Sequence, residues 1–117
     1  MQDLHSTDTI IALATAPGVG AIAVLRVSGA DAISKTNAFF KGKNLEKQAS
    51  HTIHFGTLRE GEQIVDEVLV SLFVGPNSYT GENVVEISCH GSPYIIQRII
   101  RLFNEHGVRY AKAGEFT

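Results

Sequence analysis

The stretch "VVEISCHGSPYIIQRIIRLFNEHG" (Val84–Gly107) decides the fold, because a strand and a helix follow each other in it with almost no connector. Val84–Cys89 is apolar and rich in β-branched residues with one charge inside, a pattern typical of a strand that contacts a core. Ser92 is a good N-cap, Pro93 suits the first helical position, and Gly107 is a natural end for the helix. The predicted apolar face of this helix consists of Ile95, Ile96, Ile99, Leu102 and Phe103.

Outward from this stretch, the remaining chain predicts further strands and one more helix. The strands are Thr9–Thr15, Ala21–Ser28, His51–Leu58, Asp66–Phe73 and a last one that begins at Val108; the helix lies within Gly29–Gly42, with Ser28 or Asp31 as its cap and Gly42 as its end. Both faces of Ala21–Ser28 are mostly apolar, which predicts a central strand covered on both sides. A turn around Gly61 joins two strands as a hairpin, with Ile53 and Phe55 on one face of the first. The order ββα-βββ-αβ predicts an α+β domain with a mixed β-sheet and two main helices.

Composition narrows the function classes. The chain has 117 residues, the size of one domain, with 44% hydrophobic and 19% charged residues. Its net charge of −2 argues against a free-standing nucleic-acid binder. One cysteine excludes an intrachain disulfide and fits a cytoplasmic location. We expect no signal peptide and no membrane span, and the end at "YAKAGEFT" resembles a cut inside a longer protein.

Arg26 and Glu86 are the residues most in need of explanation. Each is a lone charge within an otherwise apolar strand. An unpaired buried charge is costly, so each must have a partner. Either the two residues pair with each other or reach solvent, or they line a pocket that holds a polar ligand. Both interpretations hold if a ligand replaces a resting ion pair, because a carboxylate accepts two parallel N–H bonds and a guanidinium binds anionic groups bidentately.

No catalytic or metal constellation emerges from the other polar residues. Cys89 and His90 are neighbours on a strand and therefore face opposite sides, which disfavours a Cys–His nucleophilic pair and predicts a core cysteine. His90 is interpreted as a turn histidine that is satisfied by backbone groups, with ligand binding as the alternative. His51 and His54 also face opposite ways on a predicted strand, and no zinc spacing occurs. The phosphate-loop pattern G-x-x-x-x-G-K-[ST] and the G-x-S-x-G elbow are absent from the sequence.

The polar loop "GPNSYTGEN" (Gly75–Asn83) precedes the strand that carries Glu86. It is either an ordinary connector or the wall of a pocket or dimer contact. In the second case its hydrogen bonds to a ligand would come from backbone N–H groups and from Asn77, Ser78 and Thr80.

Three long motifs resemble the N-terminal domain of the tRNA-modification GTPases of the MnmE (TrmE) type. They are "DTIIALATAPGVGAIAVLRVSG" (Asp8–Gly29), "PNSYTGENVVEISCHG" (Pro76–Gly91) and "AGEFT" (Ala113–Thr117). The resemblance covers residue 8 to the end of the chain. It implies that residues 1–117 are a single N-terminal folate-binding and dimerisation domain, and that the helical and GTPase domains of the family lie outside this chain.

The resemblance also implies a function. The domain is similar to the tetrahydrofolate-binding domains of aminomethyltransferases, and would bind 5-formyl- or methylene-tetrahydrofolate and form a homodimer. Arg26 and Glu86 match folate contacts of the family, and Asn77, Ser78, Thr80 and Gly81 are further candidates. The whole protein would modify the wobble uridine of tRNA with the flavin-dependent partner MnmG (GidA), and GTP, magnesium and potassium would belong to the GTPase domain only. A further folate-contacting lysine of the family would lie just beyond "GEFT", outside this chain.

Two other interpretations remain open at this point. The chain would serve as a structural dimerisation module without a ligand of its own, or as a small thiol enzyme that uses Cys89 and His90. Calorimetry with a reduced folate separates the first interpretation from folate binding, and thiol reactivity tests the second.

Overall fold

A single mixed sheet organises the chain. The computed structural model describes residues 8–15, 21–75 and 82–111. The strands within these ranges are β1 Ile10–Leu13, β2 Ile22–Ser28, β3 Phe40–Lys41, β4 Thr52–Glu60, β5 Gln63–Phe73, β6 Val84–His90 and β7 Arg109–Tyr110. The helices are α1 Ala32–Phe39 and α2 Pro93–Asn104, with a 3₁₀ turn at Leu45–Lys47. The sheet order is β3-β4-β5-β6-β2-β1-β7. Only the β1–β7 pair is parallel among the described strands. The predicted α+β class and mixed sheet are therefore confirmed.

The long helix α2 forms as its sequence predicts. Ser92 Oγ accepts a hydrogen bond from the backbone N–H of Ile95, and Pro93 is the first helical residue. Gly107 adopts a positive φ of 87°, which suits glycine and ends the helical region. The side chains of Ile99 and Phe103 are fully buried against the sheet.

One face of the sheet holds the core. Along β2 and β6 the core side chains alternate, and they share one cluster with the buried residues of both helices. These core residues are Ala23, Leu25, Val27, Val85, Ile87 and Cys89 from the two strands, and Ile33, Phe39, Ile99 and Phe103 from the helices. Both helices therefore lie on the same side of the sheet.

The opposite side of the sheet, here called the open face, is defined by the side chains that alternate with the core residues. It comprises Ile22, Val24, Arg26, Ile53, Phe55, Glu67, Leu69, Ser71, Glu86, Ser88 and His90. Ile22 is 65% exposed, so the prediction that β2 is covered on both sides is wrong. Ile53 and Phe55 share a face as predicted, but each is 66% exposed.

Helix α1 ends earlier than the sequence predicts. Phe40 is already extended, at φ −95° and ψ 128°, and pairs with Leu58 as part of β3. Its ring lies over Gly56, where an added Cβ would meet ring atoms at 2.5 Å. The missing side chain of Gly56 thus makes room for Phe40 in the core. With Phe40 and Lys41 paired to β4, the helix ends before Gly42.

The polar segment that follows β3 contains one buried apolar residue, Leu45. Leu45 is only 1% exposed, and the 3₁₀ turn around it is capped by Asn44, whose Oδ1 accepts from the backbone N–H of Glu46. Asn37 Oδ1 accepts from the N–H of Leu45 and ties the turn to α1. The segment is therefore a turn that is docked against α1.

Neither helix among the described residues has the length and apolar composition needed to cross a membrane.

Candidate functional site

Arg26 and Glu86 meet at the middle of the sheet. They are directly opposite each other in the antiparallel β2–β6 ladder, so their side chains lie on the same face. Arg26 Nε and Nη2 donate to Glu86 Oε2 at 3.1 and 2.8 Å. The sequence singled out both residues as lone charges, and the structure brings them together as a charge-assisted pair.

The geometry of this pair uses only one of the two oxygens of the Glu86 carboxylate. Both guanidinium bonds converge on Oε2, and no described residue donates a hydrogen bond to Oε1 of Glu86. The side chains are 27% and 25% exposed for Arg26 and Glu86. A carboxylate oxygen accessible from the open face is an acceptor for a ligand N–H group.

Small side chains flank the pair along the same row of the sheet. Ser71 on β5 is opposite Glu86, and Ala12 on β1 is opposite Arg26. Cross-strand neighbours on one face have Cβ atoms only about 5 Å apart, so bulky residues at these two positions would cover the pair. Serine and alanine do not cover it, and the side chains of the pair stay about a quarter exposed.

The predicted loop residues Asn77, Ser78, Thr80 and Gly81 lie outside the described residues. The two ends of this loop are described and are held together by Asn83, which the sequence did not single out. Asn83 Oδ1 accepts from the backbone N–H of Gly75 at 3.0 Å, and its Nδ2 donates to the carbonyl of Ala30 at 3.4 Å. The loop therefore starts and ends beside the β2–α1 turn, near the end of β6 that leads to Glu86.

Cys89 and His90 face opposite sides, as the strand alternation predicts. Cys89 is a free, buried thiol in the core, whereas the side chain of His90 is 68% exposed. Burial, with a smaller contribution from the negative charge of Asp66, raises the pKa of Cys89 from 9.0 to about 11. The thiol is therefore protonated at neutral pH, and its surroundings do not favour the thiol-enzyme interpretation.

The raised pKa of Cys89 predicts that its thiol reacts slowly with alkylating reagents. A shift of two units leaves roughly 100-fold less thiolate than an ordinary cysteine has below pH 9. We expect iodoacetamide to alkylate Cys89 in the folded chain at least about 100-fold more slowly at pH 8 than in urea-unfolded chain. Stability linked to the thiol is fully present below pH 9 and is lost as the pH rises through about 11. Equal alkylation rates in the two states would contradict this description of the site.

His90 has a partner that the sequence did not indicate. Its backbone N–H donates to Asp66 Oδ2 at 2.8 Å, and its ring Nδ1 lies 2.7 Å from Asp66 Oδ1. The prediction that backbone groups satisfy this histidine is wrong, because the partner is a carboxylate on β5. His51 and His54 interact with the hydroxyls of Ser50 and Thr52. Within the described residues, His, Cys, Asp and Glu form no group of three able to hold a metal ion.

The fold and this arrangement define the class of protein: an α+β domain that carries a partly exposed arginine–glutamate pair on the face of its sheet opposite the two described helices. Comparison with models of known protein families identifies the family. The family model described as "GTP-binding protein TrmE N-terminus" matches residues 9–117, and the chain belongs to this family.

Similar proteins agree with this assignment. The chain is 58% identical over 113 residues to the tRNA modification GTPase MnmE of Flavobacterium johnsoniae, and 56% identical to that of Flavobacterium psychrophilum. The MnmE protein of Bacillus cereus is 48% identical over 112 residues. Each of these alignments covers 94% of this chain and 24% of the relative. The chain thus spans about a quarter of the length of the curated relatives it matches.

Proposed function

We propose that this chain is the tetrahydrofolate-binding and homodimerisation domain of a tRNA-modification GTPase that acts on the wobble uridine of tRNA, in its 5-(carboxymethyl)aminomethyl modification. The observation that supports it is Oε1 of Glu86, which lies beside Arg26 and accepts no hydrogen bond from the described residues. A pterin ring presents an amino group and a ring N–H side by side, and a carboxylate matches this fork.

In this proposal the resting ion pair opens when the cofactor binds. Glu86 accepts the two N–H groups of the pterin with both of its oxygens. Arg26 then turns to a carbonyl or carboxylate of the cofactor, or stays beside Glu86 and orients it. The loop residues Asn77, Ser78, Thr80 and Gly81 are proposed as further contacts. The cofactor is 5-formyl- or methylene-tetrahydrofolate, and location in the cytoplasm is part of the proposal.

GTP, magnesium and potassium are not proposed as ligands of this chain, because its sequence contains no phosphate-loop motif. For the whole protein we propose tRNA and the flavin-dependent MnmG (GidA) as partners. The reaction on tRNA would then combine groups from several domains, with this domain supplying the one-carbon donor.

Isothermal titration calorimetry tests the proposal that the chain binds a reduced folate. We expect the chain to bind 5-formyltetrahydrofolate saturably, with one site per chain. Folic acid, in which the ring is oxidised and no one-carbon unit is present, serves as the comparison ligand. Absence of saturable heat with the reduced folate, in a chain that still dimerises, would favour the structural-module interpretation instead.

Exposed apolar side chains on the open face support the proposal that the chain forms a homodimer. Large apolar side chains are exposed on it in four places, namely Ile22, Ile53, Phe55 and Leu69. A contiguous apolar patch of this kind on a soluble domain marks an interaction site. A second copy of the chain that packs against these four side chains would bury the patch and would explain why both sides of β2 are apolar.

Ile53→Asp is expected to convert the dimer to a monomer at micromolar concentration, because it places a charge within an apolar contact. Sedimentation velocity measures the change. Tyr94→Asp is the matched control, because Tyr94 is equally exposed but lies on α2, on the other side of the sheet. Dissociation by the Tyr94 variant and not by the Ile53 variant would place the interface on the helices and contradict the proposal.

A further inference from the structure

A cavity of about 190 Å³ lies on the open face, beyond the Arg26–Glu86 pair towards the end of β6. Its lining residues are Ile22, Phe55, Glu67, Val68, Leu69, Ser88, Cys89 and His90. The walls from β2, β4 and β5 are apolar except for the carboxylate of Glu67. Two polar groups of β6, the Ser88 hydroxyl and the His90 ring, lie on the same face of the strand at the cavity.

The Asp66–His90 contact determines which ring nitrogen of His90 carries a proton. The ladder between β5 and β6 runs only as far as the Leu69–Ser88 pair, and beyond it Asp66 spans the two strands. Its carboxylate, 10% exposed, accepts from both the backbone N–H and Nδ1 of His90. An ionised carboxylate can only accept, so the neutral ring carries its proton on Nδ1 and Nε2 presents a lone pair.

The size of the cavity limits its ligand. An apolar cavity of about 150 Å³ holds benzene, so this cavity accommodates one six-membered ring with small substituents. The faces of the ring should be apolar, because apolar side chains form most of the wall. Its polar edge should combine an N–H donor for Nε2 of His90 with a carbonyl acceptor for the hydroxyl of Ser88.

We propose that this cavity is a binding site for a single-ring aromatic lactam, recognised through its adjacent N–H and C=O groups by His90 and Ser88. Asp66 acts as a positioning residue that holds the imidazole in the accepting tautomer. The site is built from one chain and rests neither on folate binding at Glu86 nor on the homodimer. A second copy on the open face would close its outer side.

The probe is 2-pyridone, and 1-methyl-2-pyridone is its matched control, because methylation removes only the N–H donor. In ¹H–¹⁵N NMR titrations at pH 8, the amides of Leu69, Ser88 and His90 should shift saturably with 2-pyridone, with a dissociation constant of about a millimolar. The methylated probe should bind about three- to tenfold more weakly, since one hydrogen bond is lost. Ring ¹⁵N spectra should show His90 protonated on Nδ1.

Variants of the chain complete the test. His90→Ala should remove the preference for 2-pyridone, and His54→Ala should keep it, because His54 interacts with Thr52 on β4. Glu86→Ala should keep it as well, which separates failure of this proposal from failure of folate binding. Equal affinity for both probes, absence of saturable shifts in the wild-type chain, or a His90 ring protonated on Nε2 would overturn the proposal.

Discussion

Glu86→Gln is expected to weaken the binding of 5-formyltetrahydrofolate by about 10- to 100-fold, because it replaces a charged acceptor with an amide that also donates. Arg26→Ala is expected to reduce the affinity to a similar extent, since it removes the group that orients the carboxylate or holds the cofactor. The affinities are measured by calorimetry on folded variants. The two effects should not add, because the residues act as one unit.

A second arginine–glutamate pair in the chain provides the matched control. Arg98 Nη2 lies 3.3 Å from Glu60 Oε1, between α2 and the end of β4. Glu60→Gln makes the same chemical change away from the Arg26–Glu86 pair and should leave folate affinity unchanged. Equal losses from the Glu60 and Glu86 variants would show that the effect is not specific to the proposed site.

The Arg26 and Glu86 variants should remain folded. The pair is a quarter exposed, so its contribution to stability lies nearer to that of surface pairs than to that of buried ones. We expect either variant to lower the free energy of unfolding by about 1 kcal/mol. Loss of folate binding can therefore be assigned to the site and not to unfolding.

Phe103→Ala is expected to lower the free energy of unfolding by about 3–5 kcal/mol, because it removes a fully buried ring from a packed core. The ring meets Phe39 of α1 edge to face, with centroids 5.2 Å apart, so its loss weakens the contact between the two helices as well as that with the sheet. Since a domain of this size has a total stability of only about 5–15 kcal/mol, this is the largest stability effect that we predict.

Urea denaturation measures this effect, and Tyr94→Ala is the control. Tyr94 lies on the same helix but is exposed, so its replacement should change the free energy of unfolding by no more than about 0.5 kcal/mol. A loss below about 1 kcal/mol for Phe103→Ala would contradict a core formed by both helices on one side of the sheet.

Residue pattern was enough to predict the α2 helix and to single out Arg26 and Glu86 as charges within apolar strands. The helix depends on local signals at Ser92, Pro93 and Gly107, and the two charges are conspicuous within apolar strands. The pairing of Arg26 with Glu86 was only one of the alternatives, because it joins positions 60 residues apart in sequence. Its register follows from how β2 and β6 align, and no local pattern specifies that alignment.

The open face could not be predicted from periodicity. Ile22 and Val24 are apolar, as core residues are, and alternation cannot tell a covered apolar face from an exposed one. The Asp66–His90 contact was missed for a related reason. It forms because β5 and β6 stop pairing after Leu69 and Ser88, so a carboxylate on one strand reaches a histidine on the other.

We propose that a reduced folate binds at the Arg26–Glu86 pair and alters the hydrogen bonds between the two side chains. The most direct measurement is the side-chain Nε–H resonance of Arg26 in ¹⁵N NMR spectra, recorded while 5-formyltetrahydrofolate is titrated into the wild-type chain. We predict that this resonance shifts and saturates with the calorimetric dissociation constant, while that of Arg98 does not move. Saturable folate binding with an unchanged Arg26 resonance would contradict the claim.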